Sequence, residues 1–273
     1  MKLPTRNLLT TVFAVAIFTT SMLWSQSPSA RLDTTRLHIS PVHQLRKGLD
    51  LWPLIANPGN TSEQRINETL TALNSRLANS LHECDANYRQ WEQMVNEDSK
   101  GKHSTHGDWE RKVKVTMAGS GYLSLVADET FIFCGGAHPD SETISLLFDL
   151  ASGKLIDPLS FVAQPNDISV YSDTVADGSS ISALVLPALK KMSQDTAVDE
   201  CKNAFAENQS YLIWPDAKTG RLVALPFDLP HVVQACAERI ELTTEQARTL
   251  GFKEELLRAI ETEHRRVTPA NAR

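Results

Sequence analysis

The sequence predicts an α+β fold in which an antiparallel meander sheet packs against a long N-terminal helix and further C-terminal helices. Three observations indicate this class. Apolar residues recur every three or four positions from about Thr61 to Asn96, alternate with polar residues from Val113 onward, and return to helical spacing after about Ile181. Hydrophobic residues make up 41% of the chain, which is enough for a substantial core in a globular domain.

The first thirty residues have the three parts of an export signal. Lys2 and Arg6 form a positive start, Leu8 to Trp24 form an apolar stretch, and Ser25 to Ala30 form a small polar end. The apolar stretch contains five Thr and Ser residues and is shorter than the roughly 20 apolar residues of a spanning helix. We therefore expect cleavage near Ala30 and a periplasmic or secreted product; retention as an uncleaved anchor is the alternative.

The charge of the chain excludes some partners. Removal of Lys2 and Arg6 lowers the 27 basic residues to 25 against 33 acidic residues, so the formal charge changes from −6 to −8. An acidic surface repels phosphate backbones and attracts cationic partners, so nucleic-acid binding is not expected. No second long apolar run follows the signal, so no membrane span is predicted after its cleavage.

The four cysteines are expected to form disulfides, because the count is even and an exported chain enters an oxidising compartment. Four cysteines allow three pairings. We favour Cys84–Cys134 and Cys201–Cys236, which join neighbouring segments within each half; each bond would contribute roughly 3–4 kcal/mol by restricting the unfolded chain. The alternative is a metal site, but no two cysteines have the close spacing of a zinc knuckle, so no metal and no cofactor is predicted.

Changes in composition along the chain suggest the domain boundaries. Residues 31–60 contain three prolines and no sustained period, which indicates an irregular N-terminal arm, with a short stretch up to Trp52 that can dock on the domain. Residues 61–264 form the folded part, as one domain or as two sub-domains at about 61–163 and 164–264. Residues 265–273 are expected to be a tail.

The first helix is predicted to begin with a capping box formed by Thr61 and Gln64. Its apolar positions share one face. That face consists of Ile66, Leu70, Leu73, Leu77, Leu81, Cys84, Tyr88 and Trp91. The polar positions between them are expected to face water, among them Asn67, Asn74 and Asn79.

The middle of the chain is predicted to form short antiparallel strands. Val113, Val115 and Met117 alternate with polar residues, and a two-residue period continues at 123–125 and at 131–134, where Phe131 and Phe133 alternate with Ile132 and Cys134. The sequences at 119–121 and 127–129 are interpreted as turns, and a fourth strand is expected at about 143–150.

The second half is predicted to be more helical. Helices are expected at 181–192, where Pro187 would kink or break the helix, and at 196–206. A hairpin is expected from 211–214 to 222–225, and 232–242 fits either a strand or a helix. Thr243 and Gln246 are predicted to begin the last helix.

One motif carries a family resemblance. The sequence FIFCGGAHPD at Phe131–Asp140, followed by FDLASGKLI at Phe148–Ile156, resembles the extracytoplasmic domain of the RsiV/PdaC type in a free-standing exported form. That signature is an aromatic strand, then GGAHP or GGAHG, then a strand ending in D-L-x-T-G-K. The resemblance extends over about residues 61–264 and is specific over 131–156.

The resemblance implies binding more than catalysis. RsiV is an anti-sigma factor whose outer domain binds lysozyme, and PdaC joins a related domain to a separate peptidoglycan deacetylase domain. We therefore expect a non-enzymatic binding protein of the cell envelope that recognises a wall component or a cationic lysozyme-like protein. The motif residues expected to take part in binding are Gly135, Gly136, Ala137, His138 and Pro139.

His138 allows a second hypothesis. The two glycines permit φ > 0 after a strand and Pro139 stiffens the exit, so a hydrogen bond from His138 to its own turn is the simplest role. The alternative is an envelope hydrolase that uses His138 with a carboxylate from elsewhere in the chain. A lone histidine without a placed partner defines no mechanism, so whether the protein is an enzyme is left open.

The other candidates have simpler explanations. His103, His106 and Asp108, with His82, are metal-ligating residue types, but the loop spacing lacks the helical geometry of a metalloprotease, and a solvated loop is the better interpretation. Ser120 lies between two strands, which is typical of a hairpin and not of a nucleophile elbow.

The acidic clusters and the tryptophans are likewise given structural interpretations. The clusters are interpreted as solvated faces, and three tryptophans near loops as core residues and not as sugar platforms. The residues concerned are Glu97, Asp98, Glu254, Glu255, Glu261, Glu263, Trp52, Trp109 and Trp214.

Overall fold

The structure is a computed structural model that describes residues 37–95, 109–132, 139–162, 186–197, 199–207, 210–227, 229 and 231–268. The predicted signal at 1–30 lies outside these residues. The contacts group Leu32–Arg273 as one unit. The predicted α+β class is confirmed: a long helix covers one face of a sheet, and a second sheet with the C-terminal helices covers the other.

The first sheet has six strands in sequence order. Its central strands β3, β4 and β5 are antiparallel, while β2 pairs with β3 in parallel through Leu49 and Arg111. The elements up to the end of this sheet are β1 (Gln44–Arg46), β2 (Leu49–Asp50), α1 (Thr61–Val95), β3 (Trp109–Gly119), β4 (Tyr122–Ile132), β5 (Pro139–Asp149) and β6 (Lys154–Leu155).

The second sheet has three antiparallel strands in the order β7-β8-β9. It packs with the C-terminal helices and with Met117 and Leu147 of the first sheet in one core. The elements are a 3-10 helix (Pro158–Phe161), α2 (Leu186–Thr196), α3 (Asp199–Glu207), β7 (Ser210–Asp216), β8 (Arg221–Phe227), a second 3-10 helix (His231–Cys236), β9 (Ile240–Thr243), α4 (Thr244–Thr249) and α5 (Glu254–Val267).

The N-cap of helix α1 is Asn60, one residue before the predicted N-cap Thr61. The Asn60 side chain accepts a hydrogen bond from the Glu63 backbone N–H at 2.9 Å, and the Glu63 carboxylate accepts from the Gly59 N–H at 2.6 Å. Asn60 and Glu63 therefore take the roles predicted for Thr61 and Gln64. Asparagine is at least as good an N-cap as threonine, which explains why the earlier position wins.

The apolar face of α1 is confirmed, but its polar residues do more than face water. Ile66, Leu70, Leu77, Leu81 and Cys84 are buried. Two of the asparagines predicted to be solvated, Asn67 and Asn74, instead bind the backbone of the preceding segment through both the oxygen and the nitrogen of their amides.

Asn67 and Asn74 lie seven residues apart and so on the same side of α1. The Asn74 amide accepts from the Trp52 N–H at 2.8 Å and donates to the Trp52 carbonyl at 3.0 Å. The Asn67 amide makes the same pair of bonds with Ile55, at 2.8 and 2.9 Å. Each asparagine side chain thus supplies one residue of the arm with the two backbone hydrogen bonds that a neighbouring strand would otherwise provide.

The arm predicted at 31–60 is therefore less irregular than expected over its described residues. It contributes β1 and β2, and Leu49, Trp52 and Ile55 are buried beneath α1. Asn67 and Asn74 satisfy backbone groups that would otherwise be buried without partners, and this is why a segment rich in proline can dock here. At the other end, α5 continues to Val267, three residues into the predicted tail.

A bulge in β3 changes the predicted alternation. The pairing with β4 shifts between Val115 and Met117. Val113 packs towards α1, Val115 is exposed, and Met117 packs in the core with the second sheet. The bulge also turns the Thr116 carbonyl towards the second sheet, where it accepts a hydrogen bond from the Ala217 N–H at 2.8 Å. A bulge inserts one residue and so reverses the faces of those that follow.

The prediction of a turn at 127–129 is wrong, because strand β4 is continuous from Tyr122 to Ile132. Asp128 and Glu129 pair with residues on both neighbouring strands and sit in the middle of the sheet. Ionic partners on β3, Lys114 for Asp128 and Arg111 for Glu129, compensate the low strand propensity of these acidic residues.

Most predicted elements of the second half are confirmed with changed boundaries. Pro187 lies in the first turn of α2, where proline is tolerated, and so does not break the helix. The hairpin of β7 and β8 is confirmed, and the ambiguous segment at 232–242 holds a 3-10 helix and then β9. Thr243 and Gln246 form the predicted capping box, although the last helix is divided into α4 and α5.

The disulfide between Cys201 and Cys236 is confirmed, with a Cα–Cα distance of 5.5 Å. Cys84 is also disulfide-bonded. Cys134, its predicted partner, lies outside the described residues, so the Cys84–Cys134 pairing stays a prediction. Among the described helices, none is long and apolar enough to cross a membrane.

The clamp between α1 and the arm gives a stability prediction. Replacement Asn74→Ala leaves the N–H and carbonyl of buried Trp52 without partners and should lower the free energy of unfolding by about 1–3 kcal/mol. The control Asn79→Ala removes the same side chain from an exposed position of the same helix and should change stability by no more than about 0.5 kcal/mol. Urea denaturation of both variants measures the difference, and equal effects would contradict the clamp.

Candidate functional site

A cleft of about 620 Å³ opens between one end of the first sheet and the second sheet. Its volume lies within the usual range for ligand pockets. Leu225, Pro226, Phe227 and Leu229 provide an apolar side. The polar lining consists of Asp128, Glu129, Thr130, Ser141, Glu142, Thr143, Gln234 and Arg239.

Asp128 connects the two sheets at this cleft. Its carboxylate accepts hydrogen bonds from Arg239 at 2.6 Å, from Lys114 at 3.0 Å and from the Thr143 hydroxyl at 3.1 Å. Burial alone would raise the pKa of Asp128, but the hydrogen bonds and charges of Arg239 and Lys114 hold it below its ordinary value. The Arg239 guanidinium also lies 5.5 Å from the centre of the Trp214 ring.

The opposite wall of the cleft is held in place by a covalent and a polar contact. The Gln234 amide donates to the Ser141 carbonyl at 2.6 Å. Two residues later, Cys236 joins this 3-10 helix to Cys201 of α3 through the disulfide. The wall is therefore tied both to the edge of β5 and to the helices behind it.

On the other face of β4, Glu129 forms a buried ion pair with Arg111. The second oxygen of Glu129 accepts from the Trp109 indole at 3.0 Å, and the Arg111 guanidinium lies 4.4 Å from the centre of the Trp52 ring. Only 4% of each charged side chain is exposed. This arrangement binds the sheet together.

The Arg111 side chain is incompletely satisfied. Its Nε and Nη2 atoms have no hydrogen-bond partner within the described part of the chain. Burial lowers the pKa of Arg111, and the charges of Glu129, Glu142 and Asp50 oppose that change. The guanidinium thus sits among three carboxylates, which argues against an anion site at this position.

The predicted binding motif is only partly within the described chain. Gly135, Gly136, Ala137 and His138 lie outside the described residues, so their roles stay predictions. Pro139 begins β5 and is paired with Ile132 at the end of β4. The cleft begins close to this pair, because Phe131 and Ser141 line it.

The structure offers no support for the other catalytic or metal candidates among the residues it describes. His103, His106 and Asp108 lie outside them, and His82 is exposed on α1. No group of three or more His, Cys, Asp or Glu residues in the described ranges can hold a metal ion. Trp52 and Trp214 are buried in the core as predicted.

Ser120 is a hairpin residue, as predicted, and its hydroxyl contacts the buried carboxylate of Glu263. Ser120 lies at the turn between β3 and β4 with a φ of 51°. Its hydroxyl donates to Glu263, which is 2% exposed and paired with Arg266. The prediction that Glu263 belongs to a solvated face is therefore wrong, because it fastens α5 to this hairpin.

Sequence reasoning did not identify the residues of the cleft, among them Thr143, Gln234 and Arg239. Alternation along β5 places Thr143 on the same face as Ser141, which is a signal that can be recognised once the strand is known. Gln234 and Arg239 lie in the segment whose pattern fits both a strand and a helix, and long-range contacts decide their positions.

The lowered pKa of Asp128 gives a prediction on pH dependence. Because the folded protein holds this proton less tightly than the unfolded chain, Asp128 stabilises the fold above about pH 5 and loses this effect as the pH falls through its folded pKa. The variant Asp128→Asn should therefore be less stable than the parent at pH 6, and the difference should shrink towards pH 2. Urea denaturation over this range measures it; a difference that does not depend on pH would contradict the assignment.

No protein-family profile matches the chain, and no curated protein matches it. Among solved structures, the chain is similar to a member of the DUF3298 family from Bacteroides fragilis, with 11% sequence identity and a TM-score of 0.49. The match covers 85% of this chain and 97% of that chain. DUF3298 is the family of RsiV/PdaC-type domains.

Proposed function

We propose that the mature chain is an exported binding protein of the cell envelope that recognises a cationic lysozyme-like protein through the cleft between its two sheets. The observation that carries the proposal is the composition of the cleft lining, which includes three acidic residues, Asp128, Glu129 and Glu142, and one basic residue, Arg239. The sequence resemblance supports the same class of partner, and so does the formal charge of −8 that remains after removal of Lys2 and Arg6. Carboxylates around an apolar surface favour a basic protein partner.

The contacts of the carboxylates support binding in preference to catalysis. Asp128 accepts from three donors and Glu129 from two, so partners within the protein hold both carboxylates in place. A general acid or base must instead exchange its proton with a substrate at short range. The hydrolase hypothesis needs a carboxylate facing His138 and remains the enzymatic alternative.

A wall glycan is the second candidate ligand. The hydroxyl groups of Thr130, Ser141 and Thr143 line the cleft opposite Leu225 and Phe227. Hydroxyl groups beside an apolar surface suit a sugar, which presents polar edges and apolar faces. This ligand does not require the acidic charge, so the two candidates respond differently to charge reversal.

The proposed location rests on two features of the chain. The disulfide between Cys201 and Cys236 is typical of proteins in oxidising compartments. The N-terminal sequence predicts export and cleavage near Ala30, which would release the protein into the periplasm or the medium.

Calorimetric titration of the exported protein with lysozyme and, separately, with soluble peptidoglycan fragments tests the proposal. Glu142→Lys reverses a charge at the cleft and should weaken lysozyme binding by about tenfold or more. Glu68→Lys makes the same change on the exposed side of α1 and should leave the affinity within about twofold, because the site is screened and distant.

The outcomes separate the candidates. Binding of lysozyme that is lost only in Glu142→Lys supports the proposal. Binding of glycan fragments alone, unaffected by Glu142→Lys, would assign the cleft to the wall glycan. Absence of saturable binding for both ligands would contradict a binding role at this cleft.

A further inference from the structure

We propose that Arg239 occupies the site at which the cleft receives a basic side chain of its partner, and that this side chain displaces Arg239 on binding. The inference rests on the proposed function and names the part of the cleft that recognises a cation. The contact between Arg239 and Asp128 is then autoinhibitory, because the free protein fills the site with a guanidinium of its own.

The surroundings of Arg239 have the composition of an arginine-recognition site. Its guanidinium donates to the Asp128 carboxylate at 2.6 Å and lies over the Trp214 ring, 5.5 Å from the ring centre. A carboxylate favours a guanidinium through charge-assisted hydrogen bonds, and an aromatic face favours it through cation–π attraction. A basic residue of a partner would meet the same two groups.

Asp128 and Trp214 are held in place by contacts that do not involve Arg239. Asp128 lies within β4, is paired with strands on both sides, and also accepts from Lys114 at 3.0 Å and Thr143 at 3.1 Å. Trp214 is 2% exposed and packs in a core that both sheets share. The carboxylate and the ring therefore keep their positions when Arg239 leaves, and the site persists for another cation.

Arg239 itself is less firmly held than the site around it. Its side chain is 42% exposed, and Asp128 provides its only ion pair among the residues that the structure describes. The residue lies in the short connection between the 3-10 helix that ends at Cys236 and the strand that begins at Ile240. Exposed ion pairs contribute little net stability, because water and salt screen them. A basic side chain carried by a larger interface can therefore compete for this site.

The exchange keeps the charge of the site balanced. One guanidinium leaves Asp128 and another basic group takes its place, so the carboxylate is not left without a cation. In the described part of the chain, Arg239 is also the only basic residue of the cleft lining. Its charge opposes the approach of a cationic partner. Removal of this residue should therefore strengthen binding, which is the opposite of the effect expected for a residue that contacts the partner.

Calorimetric titration with lysozyme tests the displacement. Arg239→Ala vacates the site and should bind lysozyme at least about threefold more tightly than the parent protein. The matched control is Arg221→Ala, which removes an equally exposed arginine from its ion pair with Glu241 on the same sheet. That variant should stay within about twofold of the parent. Weaker or unchanged binding of lysozyme by Arg239→Ala would overturn the inference.

Two further variants separate the charge of Arg239 from its packing. Arg239→Gln keeps a long side chain and removes the charge, whereas Arg239→Lys still supplies a cation to Asp128. Arg239→Gln should bind lysozyme more tightly than the parent and more tightly than Arg239→Lys. Equal affinities of these two variants would overturn the inference. Thermal unfolding before each titration verifies that the variants are folded.

A small probe tests the site without lysozyme. Blocked arginine, as N-acetylarginine methylamide, should bind saturably to Arg239→Ala and shift the indole N–H signal of Trp214 in NMR spectra. The parent protein should show no such saturable shift, because its site is filled. The double variant Asp128→Asn with Arg239→Ala should lose the binding, because the carboxylate is gone. Equal shifts in the parent and in Arg239→Ala, or no binding by Arg239→Ala, would overturn the inference.

The outcomes distinguish this inference from the proposed function. Binding of blocked arginine by Arg239→Ala, without binding of lysozyme by any variant, would retain the arginine site and reject lysozyme as the partner. Lysozyme binding that Glu142→Lys weakens, but that Arg239→Ala does not strengthen, would retain the proposed function and reject the displacement.

Discussion

The buried ion pair between Arg111 and Glu129 is the contact at which the layers of this protein meet. Arg111 stacks on Trp52, whose backbone is held by Asn74 of α1. Glu129 receives the Trp109 indole as well. Removing one partner of such a pair typically costs about 3–5 kcal/mol, because a charge is left buried alone. Arm, helix and sheet therefore depend on one another through these two strands.

The alternation of β4 links this internal contact to the cleft. Because Glu129 faces α1, its neighbour Asp128 must face the second sheet. There it joins Lys114 of β3 to Arg239, which directly precedes β9 of the second sheet. The same strand therefore builds the interior on one side and one wall of the cleft on the other, and the register of β4 with β5 places Thr143 beside Asp128.

Local sequence patterns predicted the features of this fold that depend on neighbouring residues in the sequence. The apolar face of α1, the hairpin of β7 and β8 and the capping box at Thr243 follow from periodicity and turn chemistry, and the structure confirms them. The bulge at Thr116 and the burial of Glu263 depend on partners far along the chain, which periodicity does not identify. The cleft was missed for the same reason, because its walls are about 100 residues apart in sequence and meet only in the folded chain.

Hydrogen–deuterium exchange of the full exported protein, with and without lysozyme, tests the central claim that the cleft receives the partner. The account predicts slower amide exchange at Ser141–Ser145 and in the 3-10 helix His231–Cys236, with no change along the exposed side of α1. Protection confined to α1, with exchange at Ser141–Ser145 unchanged by saturating lysozyme, would contradict it.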